Sequence, residues 1–164
     1  MSDTRLVAAA LLFLCVLHVS GRAIRLFNRH YRFLCFEGEL LRIDRHNKIR
    51  AMIANELRRT DKYEVYEEIG CLSADGSTRR ADIIIMDKKK NCGLILDPTV
   101  RFENSEEQSR EVCKEKRAIY LPCCSDLGSK YNIKTWDVTG IMIGARGTIP
   151  RESLEVFRKL KVPT

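Results

Sequence analysis

The sequence predicts an α/β fold, with one compact domain at residues 45–164. Stretches with helical periodicity alternate along this domain with short runs of strand-forming residues. Two of these runs, residues 83–85 and 94–96, are apolar without alternation, which is typical of central strands that are covered on both faces. The predicted order of elements is therefore helix, strand, strand, strand, helix, strand, helix.

The first helix is predicted at residues 45–60, where apolar residues recur at helical spacing and form one stripe. This stripe consists of Ile49, Met52, Ile53 and Leu57. The remaining elements are strands at residues 62–69, 80–87 and 92–103, a helix at 104–120, a strand at 135–143 and a helix ending near residue 160. Ser105 and Thr148 are the expected N-caps of the two later helices, because a hydroxyl at this position can accept a hydrogen bond from an unpaired backbone amide.

Two segments precede the domain: residues 1–21 form an apolar leader, and residues 22–44 form a basic connector. The leader resembles a secretory signal peptide, because an apolar run follows a basic start and is itself followed by small residues. The alternatives are a buried N-terminal helix and a translated segment unrelated to the domain. The protein is expected in the nucleus or cytoplasm if the domain interpretation holds, and in the secretory pathway if the leader is a signal peptide.

The seven cysteines are scattered along the chain, and none lies at zinc-finger spacing from a second cysteine or a histidine. We interpret them as the reduced thiols of an intracellular protein. Removal of the leader would leave six cysteines, an even number that permits disulfides. The chain contains no Walker-type phosphate loop and no nucleophile elbow, and residues 144–147 are predicted as a plain turn.

The chain is basic, with a formal net charge of +7 and a sequence pI of about 9.1. Residues 22–59 contain ten arginine and lysine residues against four acidic ones, and aromatic residues lie among them. Such a surface suits nucleic acid or an anionic membrane surface, and the alternative is a surface that only keeps the protein in solution. The expected partner is therefore nucleic acid, either DNA or RNA, and no membrane partner is expected once the leader is removed.

Two aspartates occupy corresponding positions in the hairpin formed by the second and third predicted strands. If the turn centres between Lys89 and Lys90, Asp82 lies opposite Asp97, and opposed residues share a face with Cβ atoms roughly 5 Å apart. Two carboxylates at that distance repel each other unless a cation or a shared proton lies between them. The spacing therefore predicts a site for Mg²⁺ or Mn²⁺, and the alternative is a pair of solvated aspartates at strand ends.

Charged residues on otherwise apolar faces are the candidates for completing this site. Glu56 lies on the stripe of the first helix, His46 shares that face, and Lys116 lies among the apolar residues of the second helix. Lys114 points roughly the opposite way, and Glu67 on the first strand is a further candidate. The alternatives are that Glu56 reaches water at the edge of its face, that His46 caps its helix, and that Lys116 extends its ammonium group to solvent.

The motif Arg80-Ala81-Asp82, fourteen intervening residues and Asp97, in this order of elements, resembles the PD-(D/E)XK nuclease superfamily. More narrowly, it resembles the restriction-enzyme-like endonuclease domain of site-specific non-LTR retrotransposons. Residues 97–150 resemble the C-terminal ends of insect reverse-transcriptase-like open reading frames, and the likeness covers roughly residues 46–160. It implies a restriction-endonuclease-like α-β-β-β-α-β core with a mixed central sheet and a C-terminal helix.

The resemblance implies metal-dependent DNA cleavage with no small-molecule cofactor. Asp82 and Asp97 would be the metal ligands, Lys116 would act as the catalytic lysine with Lys114 as its alternate, and Glu56 would be the acidic residue of the first helix. A further set of basic residues is expected to bind nucleic acid. This set consists of Arg79, Arg80 and Arg101.

The sequence departs from the family pattern in three ways. Ala81 replaces the usual proline, and Pro98-Thr99 follows the second acid in place of the in-line lysine. The zinc knuckle and reverse transcriptase of the retrotransposons do not occur in this sequence, so a fragment, a degenerate copy or a host-acquired domain is expected. The alternatives to an active nuclease are a catalytically inactive nucleic-acid-binding remnant and a secreted protein of unknown function.

Overall fold

The computed structural model describes residues 31–162, with side chains from residue 38 onward. The predicted leader and most of the predicted connector lie outside the described residues. The elements are α1 (Tyr31–Arg59), β1 (Glu64–Leu72), β2 (Thr78–Asp87), β3 (Cys92–Arg101), α2 (Gln108–Tyr120), a 3₁₀ turn (Leu121–Cys123), α3 (Cys124–Tyr131), β4 (Thr135–Gly144) and α4 (Arg151–Leu160). Within this part of the chain, no helix combines the length and apolar character needed to cross a membrane.

The four strands form one sheet in the order β1-β2-β3-β4, and the expected mixed sheet is confirmed. β1, β2 and β3 pair antiparallel, while β3 and β4 pair parallel and are joined by the crossover through α2 and α3. Ile83 pairs with Leu96 and Ile85 with Leu94, so the register predicted for the central hairpin is confirmed. Asp82 and Asp97 occupy the next position beyond this ladder.

Helices cover both faces of the sheet. On one face, α1 and α4 pack against fully buried side chains that include Ile83, Leu96 and Ile141. On the other face, Ile84 and Ile95 pack against α2, the 3₁₀ turn and α3. Burial of each such side chain contributes about 1.5–3 kcal/mol, so both layers hold the central strands in place. This arrangement explains why the central strands lack apolar alternation.

The first helix is longer than predicted, because it begins at Tyr31 and not at residue 45. No proline interrupts residues 31–59, and Asp44 pairs with Lys48 one turn later at 2.7 Å, which supports a solvated helix. Several apolar side chains of the added segment are exposed, so apolar periodicity gives no signal there. They are Leu40, Leu41 and Ile43.

Three further expectations about helices were wrong. The prediction missed α3, whose eight residues are too few for a clear apolar period. α2 begins at Gln108 without a side-chain cap, so Ser105 does not cap it. The Thr148 hydroxyl donates to Glu103, and Pro150 occupies the N-cap position of α4.

Five cysteines fall among the residues whose side chains the structure describes, and all five are free thiols. Cys71 and Cys123 are buried in the face that packs against α2 and α3. Burial raises the pKa of the Cys71 thiol to about 12. These cysteines therefore act as core residues in the folded domain.

Candidate metal and phosphodiester site

Asp82 lies where the regular pairing of β2 is interrupted. The pairing of β2 with β3 ends at Ile83. The pairing of β2 with β1 is interrupted at Asp82 and Glu68, which are not a bridged pair. Glu68 has φ 55°, a left-handed conformation that is uncommon for residues other than glycine. Ile83 packs toward α1 while Ala81 packs toward α2, although two residues apart on a regular strand share a face. The strand therefore rotates at Asp82 and turns this carboxylate toward α1.

His46 connects the Asp82 carboxylate to the main chain that follows Asp97. Its Nε2 lies 3.0 Å from Asp82 Oδ2 and 3.1 Å from the carbonyl oxygen of Pro98. Both oxygens are acceptors, so Nε2 must carry the hydrogen that it donates to them. The hydrogen bond to Asp82 raises the pKa of His46, and partial burial opposes this effect. A single positive or hydrogen-bearing atom can thus bridge an oxygen of β2 and an oxygen of β3.

Asp97 is a buried carboxylate whose charged form is poorly stabilised. It is 3% exposed, and its Oδ1 lies 2.9 Å from Nζ of Lys116 on α2. Burial and the negative charge of Asp82 raise the pKa of Asp97, and Lys116 only partly offsets them. The two aspartates therefore influence each other, as their opposed positions predict. Their carboxylates nevertheless contact helices on opposite faces of the sheet, Asp82 through His46 and Asp97 through Lys116, so the expected shared face is not observed.

Gly140 allows α2 to approach the sheet closely enough for Lys116 to reach Asp97. Gly140 pairs with Asp97 across the parallel β3–β4 ladder. A Cβ atom at Gly140 would lie 2.9 Å from both Cγ of Lys116 and the carbonyl oxygen of Val112. These distances are too short for a real contact with the backbone of α2. The position therefore requires glycine, and the position of Lys116 depends on it.

Tyr120, at the end of α2, fixes the strand beside the aspartates. Its hydroxyl donates to the carbonyl oxygen of Arg80 at 3.0 Å. Burial, followed by the charge of Asp97, raises the pKa of Tyr120, so this phenol remains protonated. The backbone just before Asp82 is thus tied to the same helix that supplies Lys116.

The other predicted site residues lie away from this group. Glu56 pairs with Arg59 at 2.5 Å and is ten residues from His46, about 15 Å along the helix axis. Glu67 pairs with Arg50 and Arg58. Glu56 therefore does not converge on the aspartates as expected, and Glu67 is held by two arginines of α1. The alternative that His46 caps a helix was also wrong, because His46 lies in the middle of α1.

Of the predicted basic residues, some lie beside the aspartates and others lie away from them. Lys114 is exposed, in contrast to Lys116. Arg101 pairs with Glu115 at 2.6 Å on the outer side of α2. Arg79 is exposed, while Arg80 lies next to Asp82 and pairs with Glu68 at 2.5 Å.

Sequence reasoning missed a groove between the first half of α1 and the β1–β2 edge, which we call the α1 groove. Its volume is about 470 Å³, and it opens beside Asp82. It is lined by Glu39, Arg42, Ile43, His46, Asn47, Glu68, Arg80 and Asp82. The five helical residues follow a helical spacing, and this pattern would have been visible had the helix been predicted to begin earlier.

The donor atoms near Asp82 suit a hard divalent cation. Among the described residues, no cluster of three or more histidine, cysteine, aspartate and glutamate side chains could hold a metal. Mg²⁺, however, commonly binds one or two carboxylates and completes its shell with water and substrate phosphate. Asp82, Asp97 and the carbonyl oxygen of Pro98 supply such an oxygen set, which we call the carboxylate site.

No protein-family model matches the chain, and no curated protein matches it either.

Proposed function

We propose that this domain is a divalent-metal-dependent DNA endonuclease-like domain of retrotransposon origin. The observation that supports it best is the carboxylate site, where Asp82 disfavours the charge of Asp97 and Lys116 lies 2.9 Å from Asp97. A buried carboxylate with a negative neighbour attracts a cation. The basic surplus of the chain suits a polyanionic substrate.

In this proposal Asp82, Asp97 and the carbonyl oxygen of Pro98 hold Mg²⁺ or Mn²⁺. When bound, such an ion polarises a phosphodiester and lowers the pKa of a bound water, so that hydroxide forms near neutral pH. Lys116 remains beside Asp97, where its ammonium group stabilises negative charge that develops on the phosphorus oxygens. His46 donates to two of the same oxygens, so an ion bound by both would replace that hydrogen bond.

A plasmid-nicking assay with Mg²⁺ or Mn²⁺ tests the proposal. Wild-type protein is expected to nick supercoiled DNA, and Asp97→Ala is expected to lose at least about 100-fold in rate, because the oxygen set loses its buried carboxylate. Asp75→Ala is the matched control, since Asp75 lies in an exposed turn after β1. This variant should cleave DNA as the wild type does. Equal nicking by wild type and Asp97→Ala would exclude this site as the source of the activity.

The second candidate is a nucleic-acid-binding remnant of the same fold without catalysis. One observation favours it: Asp82 is already bonded to His46, and Asp97 is already paired with Lys116, so both carboxylates have partners without a metal. Salt-sensitive DNA binding by the wild type, with no cleavage in Mg²⁺ or Mn²⁺, would favour the remnant over the nuclease.

A further inference from the structure

The α1 groove presents two arginines at the entrance to the carboxylate site. Arg80 immediately precedes the Ala81-Asp82 segment, and its side chain is 72% exposed. Arg42 lies one helical turn before His46 and is also exposed. Both line the same groove as Asp82, Arg42 from α1 and Arg80 from β2.

Glu68 pairs with Arg80 but does not neutralise it fully, because a second arginine shares the same carboxylate. The Glu68 carboxylate also pairs with Arg50, whose side chain is only 15% exposed. Arg50 is therefore the buried counter-ion of Glu68, and the outer guanidinium edge of Arg80 stays open to the groove. Among the residues that the structure describes, none forms an ion pair with Arg42.

We propose that the α1 groove is a second phosphate subsite, in which Arg42 and Arg80 bind a backbone phosphate of duplex DNA adjacent to the phosphate at the carboxylate site. This inference rests on the proposed function and names the residues that hold its substrate. Guanidinium groups suit the task because their planar donors match two phosphate oxygens. Glu39, Glu68 and Asp82 line the same groove, and Glu68 pairs with Nε of Arg80, so the phosphate binds to the guanidinium edge that this pair leaves open.

Contacts to phosphate position a protein on DNA but do not specify sequence. The subsite is therefore expected to improve binding of all duplexes about equally.

Fluorescence anisotropy with a labelled DNA duplex in EDTA tests the subsite, because it measures binding when no cleavage can occur. Arg42→Ala and Arg80→Ala are each expected to weaken binding about 5–10-fold. Each is also expected to make the negative slope of log affinity against log salt concentration shallower by about one. The double variant is expected to make this slope shallower by about two. Arg151→Ala is the matched control, since Arg151 is an exposed arginine of α4 that does not line the groove, and the salt slope of this variant should equal that of the wild type.

Glu68→Gln provides a test of opposite sign. Removal of this negative charge is expected to tighten DNA binding about 2–3-fold, because Arg80 then has no competing anion. Thermal denaturation of each variant checks that the fold is intact.

The inference would be overturned if wild-type protein binds and nicks DNA while both arginine variants keep its affinity and salt slope. In that case the proposed function would stand and only the subsite would fall. If the wild type neither binds the duplex nor nicks plasmid, the proposed function and the subsite fall together.

Discussion

Two carboxylates six residues apart on one segment of the chain have opposite electrostatic environments. Asp97, within β3, has a raised pKa, because burial and the charge of Asp82 disfavour its ionised form. Glu103, two residues after β3 ends, has a lowered pKa, because the Thr148 hydroxyl donates to it. The sequence shows both simply as acids at the end of an apolar strand. Their neighbours from distant parts of the chain decide which one is available to a cation.

Glu103 is part of a structural clamp on the loop between β4 and α4. Its second carboxylate oxygen lies 3.7 Å from Nε of Arg146. A Cβ atom at Gly144 would lie 2.1 Å from both the Glu103 carboxylate and the Thr148 hydroxyl, so a larger residue there would displace these two side chains. The clamp joins the ends of β3 and β4. The ionised form of Glu103 is favoured by its contacts and contributes to stability, whereas the ionised form of Asp97 is disfavoured despite Lys116, which suits it to chemistry.

The largest effect is expected from Lys116. Lys116→Ala should reduce the nicking rate about 100-fold, because it removes the only cation within 3 Å of Asp97 among the described ion pairs. Lys114→Ala is the matched control, since Lys114 lies on the same helix and is exposed. Single-turnover nicking assays at equal protein concentration measure both. Similar losses in the two variants would mean that the helix contributes only general positive charge.

Gly140→Ala is expected to affect both stability and activity, because the added methyl group must push α2 away from the sheet. We expect a loss of about 1–3 kcal/mol in the free energy of unfolding, as for other overpacked positions. Nicking should fall as well, since Lys116 would move from Asp97. Urea denaturation and the nicking assay measure the two effects.

Gly70→Ala is the control for this substitution. Gly70 also lies in a strand, but a Cβ atom there meets nothing within 4 Å. The free energy of unfolding of the Gly70→Ala variant should differ from that of the wild type by less than about 0.5 kcal/mol. If Gly140→Ala behaves in the same way, the close packing of α2 does not position Lys116.

The smallest effect is expected at the clamp. Glu103→Gln should cost about 1 kcal/mol at pH 7, because a charged acceptor of the Thr148 hydroxyl becomes a neutral one. The folded-state pKa of Glu103 is lowered, so its stabilising effect is complete above the ordinary glutamate pKa and is lost as pH falls through the lowered value. Urea denaturation at pH 7 and near pH 3 should therefore show a difference between wild type and variant that narrows in acid. A difference that widens in acid would contradict the direction of the shift.

The fold and the hairpin register follow from local patterns, and this is why the sequence predicts them. Apolar runs without alternation identify the central strands, and the positions of the turn and of the two aspartates determine the pairing of Ile83 with Leu96. Lys116 was also predicted, because it is the charged residue on the apolar face of α2. These features depend only on residues that are close in sequence.

The partners of the aspartates depend on where separate elements meet. The apolar stripe of α1 predicts which face of the helix packs on the sheet. It does not predict which residue along the helix lies beside Asp82. Glu56 was therefore chosen on the correct helix but ten residues too far along, while His46 lies at the right height. Glu68 and Gly140 gave no signal of their own. Their importance comes from a left-handed backbone and a close helix approach, which appear only in three dimensions.

The long N-terminal half of α1 bears on how this domain can be isolated. A chain trimmed at residue 45, where the sequence suggests that the domain begins, would lose Glu39, Arg42 and Ile43 and with them much of the wall of the α1 groove. His46 would become the second residue of a new helix end, and helix ends fray. Its bonds to Asp82 and to the Pro98 carbonyl, which link residues 36 and 52 positions apart, would then depend on the least ordered turn of the helix. A fragment that keeps the α1 groove therefore has to begin before Glu39, well ahead of residue 45.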